Sequence, residues 1–303
     1  MARLLAATVS AAALAAASGC ATHPAPRPAA APAPAQQLQD ADAVITSDST
    51  SMRQSWALFG AQQVLVQQCM ARLGYHYLIT SAGPEPAADV TTADVDGTAS
   101  PPSYGVTPGS VAGATPAQDL YVRGLAPAQQ GRYLTALNGS ADQRIALALP
   151  SGATVAFGTG GCLGQARDEL YGSIQAAMES AAVPQDVQQL LEGFLGSDRS
   201  YQTAIGAWQR CMVASGQSAR TPAALIGSIQ SLASTGVSGK TLAARQSADA
   251  RDDLVCDARS GLRRTLAQQQ AAFLTKQPAA TLVLLDRAWQ AREQAAARAG
   301  APA

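Results

Sequence analysis

Alanine constrains the fold of this chain more than any other feature of the sequence, since it supplies 67 of the 303 residues while aromatic residues make up only 5%. Alanine has the highest helix propensity and buries little surface, so the chain favours helices around a core with few rings. The 21 basic and 21 acidic residues balance, which argues against a general nucleic-acid binder. The two histidines, His23 and His76, are too few for a multi-histidine metal site.

The first 19 residues have the pattern of a secretory signal peptide. Arg3 is followed by an apolar run over residues 4–17 and by small residues before Cys20. The run is too short for a membrane-spanning helix, which needs about 20 apolar residues. Ser-Gly-Cys at 18–20 resembles the bacterial lipobox, in which the cysteine becomes the lipid-modified first residue. Ordinary cleavage near residue 17, which would release a soluble secreted protein, is the alternative.

A Pro/Ala-rich segment follows, and we interpret residues 20–45 as a tether. The cysteine count agrees with a lipid on Cys20, because five cysteines are odd for an exported chain and reserving Cys20 leaves four. The sequence therefore predicts an extracytoplasmic lipoprotein, anchored to the outer face of the cell membrane by an acyl chain such as palmitate. Soluble secretion stays open as the alternative.

The rest of the chain predicts a mainly α fold with one small antiparallel sheet. Apolar residues at helical spacing predict a helix over 46–73, and an aromatic, β-branched run at 75–79 predicts a strand. A hairpin at 145–157 should complete the sheet. Residues 80–116, rich in Pro, Gly and Ser, are expected to form a long flexible loop. Helices should fill the remainder, the longest over 241–273.

The folded part divides into an N-terminal half, 46–198, and a helical C-terminal half, 199–300, which we expect to form one compact unit. Their charges differ, since residues 40–198 hold 15 acidic and 6 basic residues and residues 199–303 hold 6 and 13. We interpret this difference as attraction between the halves within one fold. A basic face turned toward anionic lipid or cell-wall polymer is the alternative.

Two segments resemble ligand-binding loops, and each lacks a required part. Residues 234–241, S-T-G-V-S-G-K-T, resemble a phosphate-binding loop, but serine stands at the first glycine position and a helical pattern precedes the segment. Asp89 and D-V-D-G at 94–97 faintly resemble a calcium loop without its alternating oxygens and its later bidentate acid. We expect a turn and a solvated acidic loop instead, with no cofactor and no metal.

No set of residues specifies catalysis. His76 is the one histidine in the predicted folded region, and it lies between two tyrosines in the predicted strand, where a packed histidine is commoner than a catalytic base. Adjacent carboxylates such as Asp252 and Asp253 lie on a helix and point in different directions. The sequence therefore predicts no catalytic residue and a protein that is not an enzyme.

The remaining four cysteines show a repeated pattern. Cys69 and Cys211 each begin a C-M-x-x-x-G segment that ends a tryptophan-bearing helix, and each is followed by one further cysteine, Cys162 or Cys256. Four cysteines allow three pairings, among which sequence alone does not choose. We favour Cys69–Cys162 and Cys211–Cys256, because each bridge then lies inside one half-repeat and pins a helix end to a later helix.

These motifs resemble those of exported actinobacterial lipoproteins of unknown function. The likeness covers most of residues 50–275 and rests on four segments: the helix end with its aromatic run at 69–77, Gly-Gly-Cys-x-x-x-Ala at 160–172, Trp-x-x-Cys-Met at 208–216, and the Ala/Asp-rich helix at 249–262. The resemblance implies structure and location only.

Two functions are consistent with these features. The first is a non-enzymatic envelope lipoprotein with a structural role, or one that binds an envelope protein or cell-wall polymer, without nucleic acid as a partner. The second is a lipid-tethered small-ligand binder with a pocket near the 80–116 loop, lined by Tyr75, Tyr77 and Tyr104. A wall-acting enzyme using His76 is a third, weaker hypothesis. The sequence does not specify the oligomeric state.

Overall fold

The computed structural model describes residues 34–46, 49–79, 104–106 and 117–300, with only the backbone of residues 49–53. Cys20, the predicted signal peptide at 1–19, the calcium-like residues at 94–97 and most of the predicted 80–116 loop lie outside these ranges. The described elements are α1 (Pro34–Ile45), α2 (Ser49–Arg72), α3 (Ala117–Gly124), α4 (Pro127–Asn138), β1 (Arg144–Ala148), β2 (Thr154–Gly158), α5 (Gly161–Tyr171), α6 (Ile174–Ser197), α7 (Arg199–Ala214), α8 (Pro222–Ser234), α9 (Gly239–Ser260), α10 (Leu262–Leu274) and α11 (Ala279–Ala299).

The mainly α fold is confirmed, and so is the hairpin. Strands β1 and β2 are antiparallel, with Ile145 opposite Phe157 and Leu147 opposite Val155. These four side chains share one face of the hairpin and pack on a cluster built by α1, α6, α10 and α11. The opposite face carries Arg144, Gly158, Thr154 and three alanines, Ala146, Ala148 and Ala156.

The predicted strand at 75–79 is wrong, since the described sheet has two strands and does not include this segment. Glutamine side chains bond its backbone in place of a neighbouring strand. Gln67 donates to the carbonyl of Tyr77 at 2.9 Å, and Gln118 accepts from the amide of Leu78 at 2.7 Å. The aromatic, β-branched composition fits an extended chain, but it does not show whether a partner strand exists.

Both C-M-x-x-x-G segments form the same helix end. At the end of α2 the amide of Tyr75 donates to the carbonyl of Met70, and at the end of α7 the amide of Gln217 donates to that of Met212, at 3.0 and 2.9 Å. The glycines between, Gly74 and Gly216, have φ of 80° and 84°. This is the Schellman arrangement, which needs a left-handed residue after the helix, so both glycines are required by the geometry.

Helix α1 corrects the predicted extent of the tether. Residues 34–45, assigned to a 20–45 tether, form a helix whose Ala41, Val44 and Ile45 are buried against α6 and α11. Their three- and four-residue spacing is a helical pattern, but it follows directly on the Pro/Ala segment and is short. Residues 34–45 therefore belong to the folded domain rather than to a tether.

The predicted 241–273 helix is two helices. α9 ends at Ser260, and α10 begins at Leu262 after Gly261, whose φ is 66°. The left-handed glycine ends the first helix, and the amide of Gly261 donates to the backbone carbonyl of Asp257. The amide of Arg263, in the first turn of α10, bonds the Asp257 carboxylate at 2.8 Å. The helical periodicity continues through the break and so concealed it.

The described domain forms one compact unit with four apolar clusters, of which the smallest is formed by Leu58, Leu170, Ala295 and Ala296. The central cluster is formed by α1, the hairpin, α6, α10 and α11. The N-terminal cluster lies between α2, α4 and α5 around Tyr133, and the C-terminal cluster lies between α7, α8 and α9 around Trp208. Tyr104 and Val106 from the predicted loop are buried in the C-terminal cluster, so this part of the loop belongs to the core. None of the described helices could cross a membrane.

Candidate functional site

The two predicted disulfides are present. Cys69 is bonded to Cys162 and Cys211 to Cys256, each pair with Cα atoms 5.5 Å apart, which is within the usual range. The first bridge joins α2 to α5, and the second joins α7 to α9. Each bridge therefore lies in the last turns of a helix that ends at a left-handed glycine. The half-repeats share both a local helix end and a crosslink.

The most polar part of the interior surrounds Asp253, which has no exposed surface. Its Oδ1 accepts from Trp208 Nε1 at 2.8 Å and from Arg263 Nη1 at 3.2 Å. Its Oδ2 accepts from the Tyr104 hydroxyl at 3.0 Å and from Arg263 Nη2 at 2.7 Å. One carboxylate thus joins α7, α9, α10 and the segment at 104–106. Because both of its oxygens are fully bonded, Asp253 is suited to holding these elements together rather than to proton transfer.

A second buried carboxylate, Asp249, and a buried amide, Gln246, lie one and two turns closer to the start of α9. Asp249 accepts from Gln217 at 2.6 Å and from Arg245 Nε at 2.7 Å. The side chain of Gln246 bonds both the amide and the carbonyl of Val106, at 2.9 and 2.6 Å. The Gln246 side chain thus bonds the backbone N–H and C=O of Val106, as an adjacent strand would. Leaving these buried polar groups without hydrogen bonds would cost free energy.

Sequence reasoning missed this polar group. Asp249, Asp253 and Asp257 are spaced by four residues, so they lie along one side of α9, beside the apolar stripe. An acidic row at that spacing was the available signal. The partners of Asp253 come from distant positions, with Trp208 45 residues away and Tyr104 149 residues away. A single sequence does not contain those pairings.

In the described residues, the three tyrosines of the predicted pocket do not lie together. Tyr75 and Tyr77 pack in the N-terminal cluster, whereas Tyr104 is buried in the C-terminal cluster. Tyr75 contacts the ring of Tyr133 edge-on, with centroids 5.4 Å apart. Burial raises the pKa of Tyr133 to about 12, although Gln118 donates to its hydroxyl at 2.7 Å. These tyrosines therefore form parts of two cores and do not line a shared ligand site.

His76 is exposed, and its ring lies edge-on to Tyr121 with centroids 6.1 Å apart. No hydrogen bond or ion pair joins its side chain to another described residue. Nucleophilic catalysis needs a serine, threonine or cysteine within hydrogen-bond reach of the base, and the described residues place none there. The geometry around His76 does not add support for the third, enzymatic hypothesis.

The phosphate-loop-like segment at 234–241 forms the turn between α8 and α9. Ser238 caps α9 and accepts from the amide of Thr241 at 3.2 Å. An α-helix, rather than a buried strand, precedes the turn, and Lys240 is exposed. The segment is a helix-capping turn, as the sequence analysis expected.

Two open clefts in the described residues are large enough for a small molecule. The first, called the arginine cleft because Arg144 and Arg167 line it, has a volume of about 750 Å³ and lies between α4, the hairpin and α5. The second, the α1–α10 cleft, has a volume of about 500 Å³ and is lined by Leu38, Leu266 and Leu274 among others. The side-chain amide of Gln270, on α10, donates to the Asp42 carboxylate at 2.8 Å and to the Thr46 hydroxyl at 2.9 Å. Both volumes lie within the range of small-molecule sites.

Comparisons of the chain with protein-family models, with curated proteins and with solved structures gave no match. In the part of the chain that the structure describes, no group of three or more His, Cys, Asp or Glu residues could hold a metal ion.

Proposed function

We propose that this chain is an exported lipoprotein of the cell envelope, held at the outer face of the cell membrane by lipid on Cys20. Its folded domain acts without catalysis, as a structural or interaction module for another envelope protein or for cell-wall polymer. The observation that carries the proposal is the pair of disulfides, Cys69–Cys162 and Cys211–Cys256. Such bridges persist in oxidising compartments outside the cytoplasm and are rare inside it.

The position of the fifth cysteine supports the anchor. Cys20 directly follows the signal-peptide pattern, and all four cysteines of the described domain are used in bridges. Thirteen residues, four of them proline, separate Cys20 from Pro34, the first residue of α1. A proline-rich spacer of that length reaches roughly 40 Å at about 3.1 Å per residue. That reach would leave the whole domain accessible to a partner above the membrane.

The bonding of the buried carboxylates supports a role without catalysis. Catalytic acids and bases need an open face toward substrate and a shifted pKa. Asp253 and Asp249 are instead enclosed and bonded to tryptophan, tyrosine, glutamine and arginine donors. Asp186, also buried, receives the amide of Ser151 at 2.9 Å and the Ser151 hydroxyl. These carboxylates stabilise packing between elements.

Fractionation tests the anchor. Wild-type protein should remain with the membrane, and Cys20→Ala should appear in the culture medium or stay as the uncleaved precursor. Thr22→Ala, which alters a residue two positions away and leaves the lipobox intact, is the matched control and should fractionate as wild type. Equal distributions of wild type and Cys20→Ala would contradict the proposal.

Crosslinking tests the interaction role. Intact envelope is crosslinked, the tethered protein is purified under denaturing conditions, and attached peptides and wall fragments are identified by mass spectrometry. We expect a reproducible partner that is lost when the Cys20→Ala form is used, because the tether sets where the domain is presented. No enrichment of any protein or wall fragment over a mock purification would count against the module.

A second candidate function, small-ligand binding, is favoured by the α1–α10 cleft rather than by the tyrosines first expected to line a pocket. Leu38, Leu266 and Leu274 give this cleft an apolar interior, and polar side chains stand at its rim. Binding of the apolar dye N-phenylnaphthylamine would test it. Ala267→Phe, which fills the cleft, should abolish saturable binding, whereas Gln268→Phe, on the exposed side of α10, should leave binding unchanged. Equal loss in both variants, or no binding by wild type, would remove this candidate.

A further inference from the structure

The arginine cleft has a floor made of backbone and small residues. Gly158 lies opposite Arg144 in the hairpin register, and both line the cleft together with Ala156. At one edge the chain at Gly139 meets Gly160 so closely that a Cβ added to Gly139 would lie 2.5 Å from the Gly160 Cα. Gly139, Ala156 and Gly158 add little or no side chain to this surface. The Gly-Gly-Cys segment therefore shapes the cleft as well as the disulfide.

Arg167 enters the cleft from α5 and is only partly exposed. Its guanidinium carbon lies 5.6 Å from the ring centroid of Phe157, so the ring supports the cation from one side. Burial lowers the pKa of Arg167, an effect that Tyr171 opposes. A partly desolvated cation gains from an anionic neighbour, since a charge removed from water costs free energy until it is paired.

Neither arginine of the cleft has such a neighbour among the residues that the structure describes. Among the residues that the structure describes, no carboxylate lies within ion-pair distance of Arg144 or Arg167, and neither guanidinium makes a hydrogen bond. By contrast, Arg245, Arg263 and Arg287 are each paired with a carboxylate. Two unpaired guanidinium groups over one concave surface form an anion-binding arrangement, because each can present two parallel N–H donors to a carboxylate or phosphate.

We propose that the arginine cleft binds a small anionic ligand, a carboxylate or phosphate group carried on an aromatic or aliphatic body. Arg144 and Arg167 hold the anionic group, and Leu134 and Leu163, which also line the cleft, contact the apolar body. The volume of about 750 Å³ accommodates such a molecule. This site goes beyond the proposed function and does not depend on it, since the cleft is the same whether or not Cys20 carries lipid.

Calorimetric titration of the full-length chain tests the site with four probes: phenyl phosphate, benzoate, inorganic phosphate and uncharged benzyl alcohol. We expect saturable binding of phenyl phosphate or benzoate, weaker binding of inorganic phosphate, and none of benzyl alcohol. The preferred anion distinguishes a phosphate from a carboxylate ligand. Arg167→Gln and Arg144→Gln should each weaken the preferred probe about tenfold, the size expected for losing a charged hydrogen bond.

Two further variants separate recognition from charge. Arg132→Gln removes an exposed arginine of α4 that does not line the cleft, and it should change affinity less than about twofold. Arg167→Lys keeps the charge but loses the planar fork and should still bind several-fold more weakly than wild type. Circular dichroism checks folding, and if Arg167→Gln is unfolded, the exposed Arg144→Gln decides. No saturable binding of any anion, or an equal loss in Arg132→Gln, would overturn the proposal.

Discussion

Replacing Asp253 by alanine tests the role of the buried polar group in the C-terminal cluster. The substitution leaves Arg263, whose side chain is 13% exposed, without its closest carboxylate, and it removes the acceptors of Trp208 Nε1 and the Tyr104 hydroxyl. Removing one partner of a buried ion pair costs about 3–5 kcal/mol. Typical domains have a net stability of about 5–15 kcal/mol. We therefore expect Asp253→Ala to lose about 3–5 kcal/mol of unfolding free energy.

Urea unfolding at 25 °C under non-oxidising, non-reducing conditions measures the change. Asp252→Ala is the matched control, because Asp252 is the adjacent carboxylate of α9 and makes no ion pair among the described residues; its loss should stay within about 0.5 kcal/mol. A double variant, Asp253→Leu with Arg263→Met, should be more stable than Asp253→Leu alone, since it also removes the largely buried guanidinium that has lost its closest carboxylate. A loss below about 1 kcal/mol in Asp253→Ala, or one equal to that of Asp252→Ala, would refute the reasoning.

Three further predictions concern the N-terminal half. Gly161→Ala should lose at least about 2 kcal/mol in urea unfolding, because φ at Gly161 is 64° and its Cβ would lie 2.4 Å from the Gly139 amide nitrogen, whereas Gly193→Ala inside α6 should gain about 0.5–1 kcal/mol. Replacing both Cys69 and Cys162 by serine should cost up to about 4–5 kcal/mol and lower the melting temperature; an unchanged melting temperature would show that the bridge is absent in solution. Because the pKa of Tyr133 is raised, the folded state keeps this phenolic proton between pH 10 and about 12, whereas the unfolded state loses it. The free energy of unfolding should therefore fall across this range, and it should fall less in Tyr133→Phe. A phenolate absorbance titration that Tyr133→Phe leaves unchanged near pH 12 would contradict this.

The features that could be predicted from the sequence are local ones. The alanine content predicts helices through intrinsic propensity, and the C-M-x-x-x-G segments predict helix ends because a left-handed glycine is a requirement of the backbone. The pairing of Cys69 with Cys162 followed from treating those segments as half-repeats. Each of these inferences needs only residues near one another in the chain, or a small number of possible pairings.

The features that sequence reasoning missed depend on distant partners. The segment at 75–79 has strand composition, yet Gln67 and Gln118 bond its backbone where a strand was expected. Gly261 lies within a continuous helical period, so the period concealed the break between α9 and α10. Tyr104 lies in a Pro/Gly/Ser-rich stretch, and only its bond to Asp253 reveals that it belongs to the core.

The arginine cleft was missed for the same reason. Arg144 is at the start of a strand, and Arg167 is in a helix 23 positions later. The sequence around each arginine does not show whether a described carboxylate pairs with it. The Gly160-Gly161 pair was recognised as part of a motif, but its close approach to Gly139 appears only when the two turns meet in space.

The mature N-terminus shows whether the domain is a lipid-anchored envelope protein. Protein extracted from its native membrane is digested, and the N-terminal peptide is analysed by mass spectrometry. We expect a peptide that begins at Cys20 and carries acyl groups. An unmodified peptide beginning at Ser18 or Ala21, from protein found in the medium, would contradict it.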